Sequence, residues 1–404
     1  MTFATKIIKT PLSLFYITAF LKSQMFLLPV LYLFYLSNGL TTADYFLFQG
    51  LIVLINVLLQ VPAGAIGDWI SRKKIVLISY TLFLGRIVCW LFWSGPWIVF
   101  IGEFLYALSK ALFDTVESPY LYDLLKKRHK EHKMVRAYSK LNFALSMGTG
   151  LAALTGAWFY ETMGLHILLG TEFFLITAAL LMALQLPDVA TVEQRRVAPR
   201  SVVATALKTS GQILKDKRYQ SVILYSGMIV GISHFFFWSF QPIMKAAAVP
   251  VALFGVVMCI NNMMRSFGSL GTSRLLKHIS LSHLGQIAFV MILIGLCGGS
   301  VVFTVSTGYV FSLIFIFYLC CCIVCQLMFT IGHISRLQRI AIPEIRTQIA
   351  ATNMMVARLC AAIVLILPKY LTMKLPLSAL YLIYGLIFLG LGGFILKRVR
   401  KTIE

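Results

Sequence analysis

Hydrophobic residues run in long blocks along this chain, separated by short polar and mostly basic segments. The blocks lie at about 12–37, 45–67, 75–95, 97–124, 138–160, 166–186, 219–242, 250–273, 283–304, 309–333, 346–368 and 376–396. Each is near or above the roughly 20 residues that a helix needs to cross a bilayer. They predict an all-α membrane protein of twelve transmembrane helices. The stretch after Lys6 and Lys9 is long and lacks a small-residue cleavage site, so it is expected to be a retained first span, not a signal peptide.

Composition supports lipid as the main solvent. Of the 404 residues, 59% are hydrophobic and 12% charged, where a soluble domain keeps about a quarter charged. The net charge of +22 would point to nucleic acid in a soluble protein. Here the basic residues are divided among many short loops, and the positive-inside rule accounts for them first. With the N-terminus inside, 28 of the 36 Lys and Arg fall in or at the edge of cytoplasmic segments, and only Lys245, Lys369 and Lys374 fall in outside loops. That asymmetry predicts both termini in the cytoplasm, an even number of spans, and a cytoplasmic (inner) membrane location. His129 and His132 sit in the basic loop at 125–137 and read as solvated surface.

All eight cysteines fall inside apolar blocks. The group Cys320, Cys321, Cys322 and Cys325 has no loop His or acid beside it, so packing is a better reading than a metal site. No metal or cofactor is expected. There is no Gly-Lys-Ser/Thr phosphate loop, no His-Glu-x-x-His and no Gly-x-Ser-x-Gly, which argues against a membrane enzyme or an ATP-driven pump.

A polar stretch at 188–218 divides the blocks into two sets of six: an N-terminal bundle (1–187), a cytoplasmic linker, and a C-terminal bundle (219–404). Lys208–Arg218 reads as an amphipathic surface helix. The second span ends Gly64-Ala65-Ile66-Gly67 and the eighth ends Gly268-Ser269-Leu270-Gly271, at equivalent places in the two halves. This suggests an internal duplication.

The second span continues Asp68-Trp69-Ile70-Ser71-Arg72-Lys73-Lys74. Gly64, Asp68, Arg72 and Lys73 resemble the signature that the major facilitator superfamily carries between its second and third helices. Trp69 stands where a basic residue is usual and Ser71 where Gly is usual. Gly268–Lys277 looks like a degenerate copy, with Thr272 in place of Asp. Glu117-Ser118-Pro119-Tyr120-Leu121-Tyr122-Asp123 and Pro343-Glu344-Ile345-Arg346-Thr347 are similar to segments of bacterial exporter-like members of the drug/proton antiporter type. The resemblance implies two six-helix bundles rocking about a cavity lined by helices one, four, seven and ten. It also implies a cytoplasmic gate at Gly64, Asp68, Arg72 and Lys73.

Nine Lys, Arg, Asp and Glu residues lie away from the ends of the blocks: Lys22, Arg86, Glu103, Lys110, Asp114, Glu117, Glu172, Arg265 and Arg358. Each costs about 2.5–3.5 kcal/mol near the bilayer centre on insertion scales. Four are in the fourth span. At about 100° per residue, Glu103, Lys110, Asp114 and Glu117 fall within roughly 60° of one another, so they form one stripe that must face protein or water. Lys110 and Asp114 are one turn apart and can pair. Lys22 lies at similar depth in the first span and is expected to pair with Asp114 or Glu117. A carboxylate that alternately gains and loses such a cation can couple protonation to conformation, so Glu117 or Asp114 is the expected proton carrier. Arg86 and Glu172 are expected to pair structurally toward the outside.

The second half carries Arg265 and Arg358 with no carboxylate in its spans, which suggests a substrate with a carboxylate or phosphate group. His234, Trp238 and Gln241 in the seventh span, and Tyr318 and Gln326 in the tenth, are weaker pocket candidates. His333 has a similarly weak claim. The expected function is proton-coupled efflux of a small amphipathic organic solute, by a monomer in the bilayer with protons as coupling ion. Import of an anionic nutrient by proton symport, lipid flipping, and non-transporting sensing are the alternatives.

Overall fold

The computed structural model describes residues 10–189, 208–304, 308–340, 346–371 and 375–403. Among these there is no strand. The helices are α1 (Pro11–Lys22), α2 (Leu31–Ser37), α3 (Thr42–Trp69), α4 (Arg72–Phe92), α5 (Pro96–Lys126), α6 (Met134–Met163) and α7 (Leu165–Leu184). They continue with α8 (Lys217–Ala246), α9 (Ala252–Leu275), α10 (Leu281–Thr304), α11 (Tyr309–Ile340), α12 (Arg346–Leu371), α13 (Leu377–Ile387) and α14 (Gly393–Ile403). Residues 208–215 are also helical, ending in a bend at Asp216.

Each block read as a span holds helix over most of its length, and among the described residues nine helical segments are long and apolar enough to cross a membrane. Large apolar side chains lie open on the surface, including Trp97 (78% exposed), Leu270 (76%) and Phe174 (72%). Such a surface needs lipid to cover it.

Local chemistry sets the ends. Thr10 caps α1, its hydroxyl accepting from the Ser13 amide at 3.2 Å, with Pro11 in the first turn where a missing N–H costs nothing. Ser71 caps α4 in the same way. Gly95 (φ 109°) and Gly164 (φ 83°) make the tight corners before α5 and between α6 and α7, in backbone conformations that a side chain would strain.

The expectation of twelve continuous helices needs two corrections. The first span is broken. After Lys22 the helix stops, Ser23–Leu27 run irregularly, and a single 3₁₀ turn (Leu28–Val30) leads into α2. Pro29 in that turn has no N–H to give the preceding turn. The last span contains a π-helical turn, Phe388–Gly392, between α13 and α14.

The helices form two compact units, each discontinuous in sequence. The first comprises Met1–Leu40, Ile55–Val202 and Val251–Cys259; the second comprises Thr41–Leu54, Val203–Pro250 and Ile260–Glu404. The first unit's core stacks Phe15 edge-on to Tyr120 at 5.2 Å and Tyr80 against Phe113 at 5.9 Å. Around them pack Val76, Leu141 and Ile176, all buried. In the second unit Phe235 meets Phe46, Tyr381 and Tyr384 at 5.3, 4.9 and 5.0 Å.

Candidate functional site

The stripe on α5 divides in two. Toward the α5 C-terminus, Lys110 Nζ bonds both oxygens of Asp114 at 3.1 and 3.0 Å. Their side chains are 45% and 30% exposed. One turn on, Glu117 Oε1 accepts from the Tyr138 hydroxyl of α6 at 3.4 Å. These charges lie in the middle of a 31-residue apolar helix; the Lys110–Asp114 pair is partly open and Glu117 is half-buried. Lipid cannot solvate them, so this face calls for protein or water beside it.

Glu103 does not belong with them. It is 3% exposed, and its Oε1 lies 3.9 Å from Arg86 Nη2. The 100° period gives the direction of a side chain on its own helix. It does not say what a neighbouring helix presents at that depth, and here α4 presents Arg86. The ion pair of Arg86 is thus with Glu103 and not with Glu172, although Arg86 and Glu103 both act electrostatically on Glu172 from further off. Glu172, 2% exposed, accepts the Leu27 amide at 3.3 Å, one of the N–H groups freed by the break in the first span.

Lys22 is likewise redirected. It is 8% exposed and donates to Ser79 Oγ at 2.9 Å, with its ammonium 3.8 Å from the Phe113 ring centroid. No carboxylate among the described residues comes within salt-bridge distance of it. Asp114, Glu117 and Lys110 all act on it electrostatically from further off. Ser79 is fixed in turn by the Ser109 carbonyl at 2.9 Å. Ser79, Phe113 and Tyr138 were not legible as partners, because small hydroxyls and rings on apolar helices look like packing.

Of the expected gate, Gly64 and Asp68 are described only as part of α3, and the Asp68 side chain lies outside the described residues. Arg72 is tied within the first unit to the Asp123 carboxylate and donates to the Pro119 carbonyl at 3.1 Å. Lys73 donates to the Leu184 carbonyl at 2.8 Å. Asp123 sits in the exporter-like segment, but sequence reasoning gave it no role. Pro343, Glu344 and Ile345 lie outside the described residues, as do the side chains of Arg346 and Thr347.

In the second unit, Arg265 is on an open face of α9 and forms no ion pair among the described residues. Arg265 and Arg358 both act electrostatically on His234, so three nitrogenous groups share a neighbourhood. One turn before Arg265, Asn261 is fully buried, and neither polar atom of its side-chain amide has a hydrogen-bond partner among the described residues. His234 Nδ1 contacts the Val230 carbonyl at 2.9 Å, and Trp238 meets Tyr45 edge-on at 5.9 Å. Gln241 is fully buried. Tyr318 gives its hydroxyl proton to the Met291 carbonyl at 2.7 Å, and Gln326 donates to Thr330 at 2.8 Å. Both bonds tie their side chains to neighbouring helical groups. Among the described residues no group of three His, Cys, Asp or Glu is placed to hold a metal.

Apolar helices that carry enclosed charges fit a polytopic membrane protein. The family model of the Major Facilitator Superfamily matches residues 12–365, and the chain belongs to that superfamily. It is therefore a secondary transporter of a small-molecule substrate and a multi-pass membrane protein. Among solved structures, nucleoside transporter NupG is similar at a TM-score of 0.74 and 13% identity, over 98% of this chain and 99% of that one. A POT family transporter in complex with a thioalcohol-conjugated peptide is similar at 0.78 and 11%, over 97% and 96%. At such identities the likeness shows the fold alone. A comparison with curated proteins gives no match.

Proposed function

We propose that this transporter is proton-coupled and exports a small amphipathic organic solute bearing an anionic group. The observation that carries the coupling is the open Lys110–Asp114 pair with Glu117 one turn away, on the interior of an apolar helix. Three charges kept where lipid would reject them need a use, and reversible protonation of a carboxylate is the one this chemistry supplies. Asp114 already has its cation, while among the described residues Glu117 has the long Tyr138 contact and no ion pair, so Glu117 is the preferred carrier. The anionic group rests on Arg265 and Arg358 beside His234, with the bare Asn261 amide one turn away. Export rests on the exporter-like segment at Glu117–Asp123. The Lys and Arg asymmetry supports both termini on the cytoplasmic side.

The test starts with a ligand screen by thermal shift, since a substrate that binds the folded state raises its apparent stability. The hit is then followed in proteoliposomes with a pH dye. Glu117→Gln is expected to abolish substrate-linked proton movement while retaining the ligand-induced thermal shift. Full coupled flux from Asp114→Asn/Glu117→Gln would refute the assignment. Import by symport would use the same residues, and transport against a set gradient in inverted and right-side-out vesicles separates the two directions.

A further inference from the structure

The second group of membrane-embedded charges has no part in the function just proposed. Arg86, Glu103 and Glu172 are 1%, 3% and 2% exposed. Their positions in α4, α5 and α7 place them in the halves nearer the Phe92–Pro96 and Met163–Leu165 corners, away from the Arg72 and Lys126 ends.

The guanidinium lies among rings. Its carbon is 4.1 Å from the Trp90 centroid, 4.6 Å from Tyr106 and 5.4 Å from Phe83. Gly102 makes this possible: a Cβ there would fall 2.1 Å from Trp90 Nε1, so only glycine lets the indole lie against α5 and cover Arg86. Arg86 Nε and Nη1 and Glu103 Oε1 have no hydrogen-bond partner among the described residues.

Each carboxylate takes its donors from the first span. Tyr35 of α2 hydrogen-bonds Glu103, and the Leu27 and Phe26 amides of the break bond Glu172. The other elements add little charge. On α5, Tyr106 lies under the guanidinium, with Lys110 a turn further along. From α6 comes Phe159, stacked on Phe26 at 5.9 Å.

The charge count then decides. One guanidinium and two carboxylates, fully ionised, would leave a net negative charge enclosed in apolar surroundings, and an uncompensated buried charge is strongly unfavourable. One bound proton removes it.

We propose that Glu103 and Glu172 hold one proton between them over Arg86. This proton-binding site is separate from the Lys110–Asp114–Glu117 face and is built around the break in the first span. The step is a reversible transfer from water to a carboxylate oxygen, with no other bond made or broken. The proton belongs to the pair and not to one residue. Because Tyr35 and the Leu27 amide are on the first span, any rearrangement of that span changes the donors to the pair, and with them its hold on the proton.

The test needs no substrate, so it stands apart from the transport reading. The full-length protein carrying Asp114→Asn/Glu117→Gln is purified, and the carbonyl band of protonated carboxylic acids is followed by infrared difference spectroscopy against pH. The expected result is a band worth about one acid per molecule at neutral pH. Adding Glu103→Gln or Glu172→Gln is expected to remove it, because the remaining carboxylate then balances Arg86. Adding both should lower the thermal midpoint below that of either single addition, because Arg86 loses its counter-charge. No acid band at neutral pH before the cluster is altered would overturn the proposal, whether or not the further variants fold. A band unchanged by either glutamine would do the same.

Discussion

The break in the first span leans on two glycines of α6, and Gly156 gives the sharper test. A Cβ at Gly156 would stand 2.1 Å from the Phe26 carbonyl oxygen and 2.8 Å from its carbon. Ordinary C···O contacts begin at about 3.3 Å, so Gly156→Ala must push that carbonyl back by about 1.2 Å. The obstacle is main chain, which cannot swing aside as a side-chain tip can. The same displacement carries off the Leu27 amide, which already reaches Glu172 at 3.3 Å. Overpacking costs about 1–3 kcal/mol, losing a hydrogen bond to a charged group about 1.5–3, and the better helix propensity of alanine returns about 1, for a net loss of about 1.5–5 kcal/mol. Gly150 on the same helix is the control, since a Cβ there meets nothing within 4 Å. Gly150→Ala should be neutral or stabilising by up to about 1 kcal/mol. Unfolding of both variants in mixed micelles, titrated with denaturing detergent, gives the difference. Equal stability of Gly156→Ala and Gly150→Ala would show that the chain is not pinned at Phe26.

Other contacts invite shorter tests. Arg72→Gln and Asp123→Asn should each lower stability by about 1.5–3 kcal/mol, with the double variant losing less than the sum in a double-mutant cycle. Asp44–Lys369, at 2.5 Å and with side chains 17% and 33% exposed, is a weaker pair. Lys369→Ala should cost about 1 kcal/mol, and a thermal melt in high salt should narrow the gap from the unaltered protein. Glu161 Oε2 accepts the Ala252 amide at 3.0 Å at the start of α9, so Glu161→Ala should cost about 0.5–2 kcal/mol, while Glu161→Gln, which keeps the acceptor, should lose less. In transport assays Tyr318→Phe should retain substrate affinity, because its hydroxyl serves the Met291 carbonyl; a large loss would return Tyr318 to the pocket.

Hydrophobic runs made the spans legible because lipid imposes one rule, length of apolar chain, that needs no knowledge of neighbours. The break in the first span was harder. Pro29 offered a signal, yet Pro119, Pro242 and Pro368 lie inside helices that continue through them. What differs at Pro29 is tertiary. Glu172 takes the freed Leu27 amide, and Gly148 and Gly156 leave room for the irregular chain. Charges followed the same division. Lys110 and Asp114 were readable as a pair because both sit on one helix. The partners of Lys22, Glu103 and Glu172 come from other segments of the chain, and nothing in a single-helix period encodes them. Asn261 was invisible for a related reason: an amide inside an apolar run shows its importance only when its neighbours are seen to leave it unbonded.

The composition of the two compact units bears on how the gene could be divided. The polar stretch before α8 is the obvious place to cut the chain into two separately made pieces. Such a cut would strand Thr41–Leu54 on the first piece, although that stretch packs with α12, where Gly50 lies flush against Ile366. It would strand Val251–Cys259 on the second, although Gly255 lies flush against Ala153 of α6. Each product would keep one unpartnered stretch and lack another, a reciprocal exchange like that of swapped dimers. Two co-expressed halves should therefore recover only together, each rescuing the other from proteolysis. Either alone would present to the membrane a surface shaped for its missing counterpart.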